Sequence, residues 1–346
     1  MLKKLFFHLA IALVILPCPG KTSSLKSPSS PTTLSAYFEN DTVFGTDRDY
    51  TNGIRFSYAA AHVPFASPAF TEKMHALIDR IPVVGEGTQD RLFALSFGQN
   101  IYTNETTLSR DYLPEERPYA GLTYLGFALM KRCAWTLSTW EIGLGLVGQY
   151  SLAEDSQRLI HEWRGWDQPK GWQHQLDNEP VLQLFYNRKW LLASQEGPYG
   201  LGADFIPRVE WGVGNAFTYA GWGGEIRFGW NLPKDFGNGH IRPTTETHLP
   251  VDPEDPRLKP PLQRIGLHGF VGISGAFVAR NLLLDGNTFS DSARVSRDPW
   301  TGDVSWGIGI IIHRFKILYA RIHKSREYKT QKERQSYGTI NISYTW

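Results

Sequence analysis

Two groups of residues in this chain carry side chains suited to polar chemistry. His161 is followed six positions later by Asp167, with Gly165 between them. An imidazole titrates near neutrality, so it can take a proton and give it back. A carboxylate behind it would fix the ring tautomer and stabilise the imidazolium. A helix does not bring i and i+6 together, but a chain that reverses at Gly165 can. The surrounding segment, SQRLIHEWRGW, reads as a helix capped by Ser151, with Glu154 and Asp155 in its first turn. Leu152, Leu159, Ile160 and Trp163 form its expected packed side, with His161 beside them. The other reading is a solvated or satisfied loop histidine.

The second group lies in 39–53. Glu39, Asn40 and Asp41 come first, then Asp47, Arg48, Asp49, Tyr50, Thr51, Asn52 and Gly53. Carboxylates, amide oxygens and backbone carbonyls are hard ligands of the kind Ca²⁺ accepts. The spacing is not that of an EF-hand, and an acidic turn that is simply solvated is the alternative.

The elements that must position these groups are strands. Ile340, Ile342, Tyr344 and Trp346 alternate with Thr339, Asn341, Ser343 and Thr345, as a lipid-facing strand does, although a buried strand face in a soluble protein reads the same way. Segment 220–231 sets Trp222, Ile226, Phe228 and Trp230 against Glu225 and Arg227, and 136–147 sets Trp140, Ile142, Leu144 and Leu146 against Glu141, Gly143 and Gly145. Charges on the face opposite the aromatics suit a polar lumen better than a soluble core. With 34–41, 50–60, 91–99, 120–132, 180–190, 200–212, 264–279, 303–312, 314–326 and 335–346, this predicts about 12 strands in an all-β transmembrane antiparallel β-barrel with short helices in the outer loops. Segment 314–326 alternates poorly and holds Lys316, Arg321 and His323 together. Connections 42–49, 100–119, 148–179, 213–219, 280–302 and 327–334 are expected to face outside the cell. Connections 61–90, with a helix over 70–80, and 232–263 are long for periplasmic turns.

The ends and the composition fit this class. Residues 1–20, with Lys3 and Lys4 before a short apolar run broken by Pro17 and Pro19, read as a secretory signal peptide. Residues 21–33 read as a disordered lead and 34–346 as the barrel. Without Lys3 and Lys4 the formal charge falls from +2 to zero, which gives no reason to expect a nucleic-acid partner. If Cys18 leaves with the signal peptide, Cys133 remains alone, which excludes a disulfide-built secreted domain. No later apolar run is long enough for a spanning helix. Yet 12 Trp, 15 Tyr and 19 Phe are plentiful, as membrane interfaces require.

Asn40-Asp41, Asp49-Tyr50-Thr51 with Gly53, Gly98-Gln99 leading to Ile101-Tyr102, Glu115-Glu116 before Arg117, Gly143 to Gly148, His161 with Gly165 and Asp167, and Gly171-Trp172-Gln173-His174-Gln175-Leu176 before Asn178-Glu179 follow one another along the barrel. In this order they resemble the outer-membrane lipid A 3'-O-deacylase family over essentially the whole mature chain. The resemblance implies a twelve-stranded barrel with its active site between the wall and outer-surface helices. It implies Ca²⁺-dependent hydrolysis of the 3'-linked acyloxyacyl ester of lipid A, with water activated by His161 and the oxyanion held by Ca²⁺. Asn40 and Asp41 match the calcium site, Asn40 counting also among the catalytic residues. Thr51 matches a hydroxyl near the oxyanion, and His161 the catalytic histidine. Asp167 matches its carboxylate partner, at a position where the family has glutamate. Arg110 and Arg117 are both candidates for a basic residue of the site. The expected partners are lipid A or lipopolysaccharide as substrate and the outer-membrane lipids, the chain is expected to be a monomer, and the site to face the outer leaflet.

Two other readings remain. A serine-based outer-membrane phospholipase would need a Ser near a strand histidine, but His268 and Ser274 on one strand face lie roughly 20 Å apart at about 3.3 Å per residue. A non-enzymatic channel or adhesion barrel would treat His161 and the acidic loops as mere surface. A pore should show a wide row of like charges, whereas the inward faces mix Arg, Glu, Asn and Gly.

Overall fold

The computed structural model describes residues 31–41, 48–63, 66–80, 90–241 and 245–346. The leader, most of the lead before Thr33, the fate of Cys18, and Asp47 therefore lie outside the described residues. Thirteen strands form one antiparallel sheet: β1 (Thr33–Asn40), β2 (Asp49–Ala60), β3 (Asp90–Thr103), β4 (Ala120–Arg132), β5 (Thr136–Val147), β6 (Glu179–Trp190), β7 (Leu192–Glu196), β8 (Leu201–Gly214), β9 (Phe217–Trp230), β10 (Ile265–Asn281), β11 (Trp300–Ile312), β12 (Phe315–Lys324) and β13 (Ser336–Thr345). Twelve of them close the barrel, because β1 pairs with β13 and β6 pairs directly with β8. The short β7 is an appendage on β8 that sequence reading missed. All twelve expected strands are present.

An even number of wall strands returns the chain to the end where it started. Thr32 and Trp346 exchange backbone hydrogen bonds of 2.9 and 3.0 Å there, and Trp346 packs against Tyr58 and Tyr344 as an aromatic girdle. The long connections 104–119, 148–178, 282–299 and 325–335 gather at the opposite, loop-rich end. Along each strand one face is buried and the next exposed, and Phe56, Leu125, Ile142, Leu184, Ile226 and Ile308 are among the apolar residues on the exterior. No described helix is long and apolar enough to cross a membrane. Helix α1 (Pro68–Arg80) sits at the termini end, where Asp79 pairs with Arg91 at 2.6 Å and His75 stacks on Phe93. Not all helical material is therefore in the outer loops.

The connection 232–263 differs most from expectation: it runs inside the barrel. Phe236, Leu249 and Val251 join wall residues such as Leu92, Met130 and Ile206 in a core near the termini end. Higher in the lumen, Ile241 donates its N–H to Glu39 at 2.6 Å, Thr245 donates to Glu141, and Tyr37 donates to the Glu246 carbonyl at 3.0 Å. Asp235 anchors the segment. It is fully buried and meets Arg227 at 2.5 Å, Lys316 at 2.7 Å and Arg257 at 2.9 Å. Buried charges persist only when paired this closely. Lys316 is thus drawn inward while Leu318, Ala320 and Ile322 also face in, which explains the poor alternation of this strand.

Candidate functional site

The outer surface of β1 to β4 near the loop end is shaped by two local departures from regular strand geometry. Asp49 opens β2 with φ 59°, and a bulge follows: Tyr50 pairs with Tyr102, but Ile101 pairs with Asn52, leaving Thr51 as the extra residue. Tyr50 points into the lumen, donating to Glu39 at 2.8 Å. Thr51 turns instead to the barrel exterior, where its hydroxyl meets that of Thr103 at 2.8 Å. Asn40 and Asn52 face each other across β1 and β2 on the same exterior side. Asp41 is fully buried; its N–H donates to the Thr51 carbonyl at 3.3 Å and its Oδ2 accepts the Arg48 N–H at 2.9 Å. Asp49 leaves this group, because its carboxylate accepts from Tyr328 and Gln331, each at 3.1 Å. The acidic cluster expected over 39–53 therefore splits across the wall.

Helix α2 (Ala153–Arg164) lies against the exterior of β3 and β4. Its root is clamped: the Ser151 carbonyl accepts from Gln99 at 2.7 Å and from the Thr123 hydroxyl at 2.6 Å. Gly121 makes this approach possible, because a Cβ there would stand 2.1 Å from Ser151 Oγ and 2.2 Å from Ala153 Cβ. Ser151 is not the cap; Leu152, with φ 57°, occupies that position, and Ser151 bonds back to the Gly148 carbonyl. Glu154 does lie in the first turn and pairs with Arg158 at 2.7 Å.

Ala153, Gln157 and His161 recur every fourth residue, so they share one face, and all three are buried. Ala153 packs with Ile101, Tyr119 and Trp172, while Trp172 donates its indole N–H to Gln157 at 2.9 Å. This corrects the expected packed side: Leu152, Leu159 and Trp163 are exposed and Ile160 is half-buried. The wall accepts the small and polar stripe because the clamp at Ser151 and Gly121 fixes the helix rotation.

Gly165, at φ 66°, reverses the chain as expected, and Trp166 N–H returns to the His161 carbonyl at 2.8 Å. The group delivered to the imidazole is the backbone carbonyl of Asp167, 2.6 Å from Nδ1, while the Asp167 residue is exposed. The expected carboxylate contact is thus replaced by a main-chain one, because the tight turn aims the peptide and not the side chain at the ring. A carbonyl only accepts, so Nδ1 carries the proton and Nε2 is the basic nitrogen. The Trp166 ring stands edge-on to the imidazole at 5.5 Å.

Four of the five expected site residues form two contacts at this end of the wall, with Asn40 at the end of β1 beside Asp41. Asp41 touches Thr51, His161 touches Asp167, and β3 joins the halves through Thr103 on one side and Ile101 on the other. Of the two basic candidates, Arg117 is buried in the lumen, pairing with Glu327 at 3.0 Å and lying 4.4 Å from the Tyr102 ring. Burial would raise the Glu327 carboxyl, but Lys324 and Arg117 hold it at about 2. Arg110 is exposed, and its carbonyl accepts from His174 at 3.0 Å. Gln99, Thr103, Thr123, Gln157 and Trp172 were missed as positioning residues. The i, i+4 relation to His161 would have found Gln157; Thr103 had no signal, because a bulge brings Thr51 to it.

The rim offers hard oxygen donors in Asn40, Asp41, Thr51 and Asn52, which fit Ca²⁺ in type but fall short of its usual six to eight ligands. Among the described residues no group of three or more His, Cys, Asp or Glu could hold a metal ion. On the other side of the wall, a lumen cavity of about 240 Å³ is lined by Tyr50, Tyr102, Arg117, Gln183, His240 and Glu327, among others.

A family model described as outer membrane protein LpxR matches residues 5–346. LpxR from Salmonella typhimurium has a similar structure, with a TM-score of 0.70 and 17% identity over 90% of this chain and 99% of that one. The β domain of the Bordetella autotransporter BrkA is a more distant barrel, with a TM-score of 0.44 and 9% identity over 92% of this chain and 100% of that one. No match is found among curated proteins.

Proposed function

The chain belongs to the LpxR family of outer-membrane proteins, the lipid A deacylase family that its motifs resemble, and from that premise we propose that it hydrolyses the 3'-linked acyloxyacyl ester of lipid A. The observation that carries this reading is the placement of His161: buried on the wall-facing side of α2, with Nδ1 committed to the Asp167 carbonyl. With Nδ1 donating there, Nε2 is the nitrogen that would take a proton from water as the ester is attacked and return it to the departing sugar oxygen. The Asp167 carbonyl keeps the ring in this tautomer and accepts a stronger hydrogen bond from the imidazolium. Thr51, on the exterior surface beside Thr103, would donate its hydroxyl toward the developing oxyanion. Asn40 and Asp41 would hold Ca²⁺, which when bound supplies positive charge for the oxyanion. No Ser or Cys nucleophile is needed.

The loop-rich end is assigned to the cell surface, which puts this exterior site at the level of the leaflet where lipid A resides. The serine phospholipase reading loses support because Ser274 and His268 are buried on the lumen face, with Ser274 bound to Asp303. The channel reading loses support because the segment from Leu232 fills much of the lumen.

The test is mass spectrometry of purified lipid A after incubation with the wild type, with and without a calcium chelator, and with Asp41→Ala. Loss of the 3' acyloxyacyl group only with untreated wild type is expected. Full activity of Asp41→Ala, folded as judged by heat-modifiable migration, would overturn the metal assignment.

A further inference from the structure

Helix α2 has a second face that the site does not use. Leu152, Leu159 and Trp163 are 60, 68 and 79% exposed, and their spacing of seven and four aligns them in one stripe turned away from the wall. Trp166 extends the stripe past Gly165. Arg164 lies over both indoles, 5.5 Å from the Trp163 ring and 5.3 Å from the Trp166 ring. Large exposed apolar side chains grouped in this way mark a contact surface.

The lipid-facing band of the barrel leads directly to it. Thr123, which clamps the helix root, sits on the same exterior face as Leu125, two residues along β4 and so about 7 Å away. Leu125 is 59% exposed, and Leu146 and Leu144, the register partners of Thr123 and Leu125 on β5, are also exposed. The stripe therefore continues the band at the loop end. Its composition fits a boundary: leucines for acyl chains, indoles for the interface, and a guanidinium at its C-terminal end for lipid phosphate.

We propose that Leu152, Leu159 and Trp163, with Trp166 and Arg164 at the end of the stripe, form a lipid-docking surface seated at the acyl–headgroup boundary of the leaflet at the loop end. Helix α2 then lies in the membrane plane as an interfacial helix. Its two faces have separate partners: Ala153, Gln157 and His161 meet protein, and the stripe meets lipid. This inference needs the barrel and its lipid band, not the proposed hydrolysis.

The full chain is reconstituted in nanodiscs of phosphatidylethanolamine and phosphatidylglycerol, with acyl chains unlabelled or brominated near the headgroup. The emission of Trp163 is read as the difference between wild type and Trp163→Phe, a change that keeps the stripe apolar. That component is expected to be quenched by the brominated lipid and to be several-fold less sensitive to iodide in the buffer than a solvated indole, as for helices lying about 5–10 Å into the interface. Quenching by iodide without quenching by bromine would overturn the proposal. So would equal protection in lipid-free amphipol together with a dimer mass in sedimentation, which would identify a second copy as the occupant. As an independent readout, Leu159→Glu combined with Trp163→Glu should speed tryptic cleavage of nanodisc-embedded protein at Arg164 about tenfold while the wall stays intact. An unchanged rate counts against docking.

Discussion

The two sides of the barrel wall handle polar groups in opposite ways. Inside, charge is abundant and paired: Asp235 meets three cations, Arg117 meets Glu327, and Arg55 meets Glu141 at 3.4 Å. Outside, beneath α2 and at the Thr51 bulge, the polar groups are an imidazole, hydroxyls and amides, several of them held by main-chain atoms. The lumen spends its ionisable groups on seating the segment from Leu232 onward. The exterior keeps a histidine whose basic nitrogen is defined by a backbone contact.

The comparison breaks most sharply at Asp235. Asp235→Ala leaves Arg227, Arg257 and Lys316 without their shared anion, and a loss of about 3–5 kcal/mol is expected in urea unfolding of the refolded barrel. Turnover per folded molecule should stay close to wild type; if it falls in step with His161 variants, the lumen is not merely structural. Next in size, Gln99→Ala combined with Thr123→Val removes both donors to the Ser151 carbonyl. About 1–3 kcal/mol of local stability should be lost there, visible as faster hydrogen exchange in α2 with little change in the strands. Thr51→Val should lower kcat by roughly tenfold to a hundredfold and leave KM little changed, whereas Thr51→Ser restores most of the rate. The smallest effect separates carbonyl from carboxylate: Asp167→Asn should change turnover by less than about twofold, because Nδ1–H donates to the Asp167 peptide carbonyl and not to its side chain. A loss of about a hundredfold would restore the carboxylate to the role the family resemblance implied.

The wall was legible because its physics is local. Alternation of apolar and polar residues with a period of two marks a strand with lipid on one side, and counting such runs reaches twelve. The lumen segment was not legible. Residues 232–263 are rich in Pro, Asp, Glu, Arg and Lys, which reads as a solvated connection. Their partners, Arg227 and Lys316 among them, belong to strands whose inward charges already looked like an ordinary polar lumen. Complementarity between distant segments leaves no periodic trace. The site was half legible. Gly165 announced the reversal beside His161, and the split of Asn40 and Asp41 from Asp49 followed from a positive φ and a bulge that sequence does not display. Helix α2 was read with the wrong face inward because the rule that apolar stripes seek the protein core assumes water on the other side. Next to a lipid band, the apolar stripe can face away from the protein and the small, polar one toward it.

Two histidines bring this to one decision. His161 faces the exterior surface under α2, and His240 lines the lumen cavity beside Tyr337. Release of the 3' acyloxyacyl group from purified lipid A is measured by mass spectrometry for His161→Ala and His240→Ala, each shown to be folded by heat-modifiable migration. A fall of about 10²–10⁴-fold for His161→Ala, with His240→Ala near the wild-type rate, is the expected result. The reverse pattern would place the chemistry in the lumen and contradict the assignment of the exterior site.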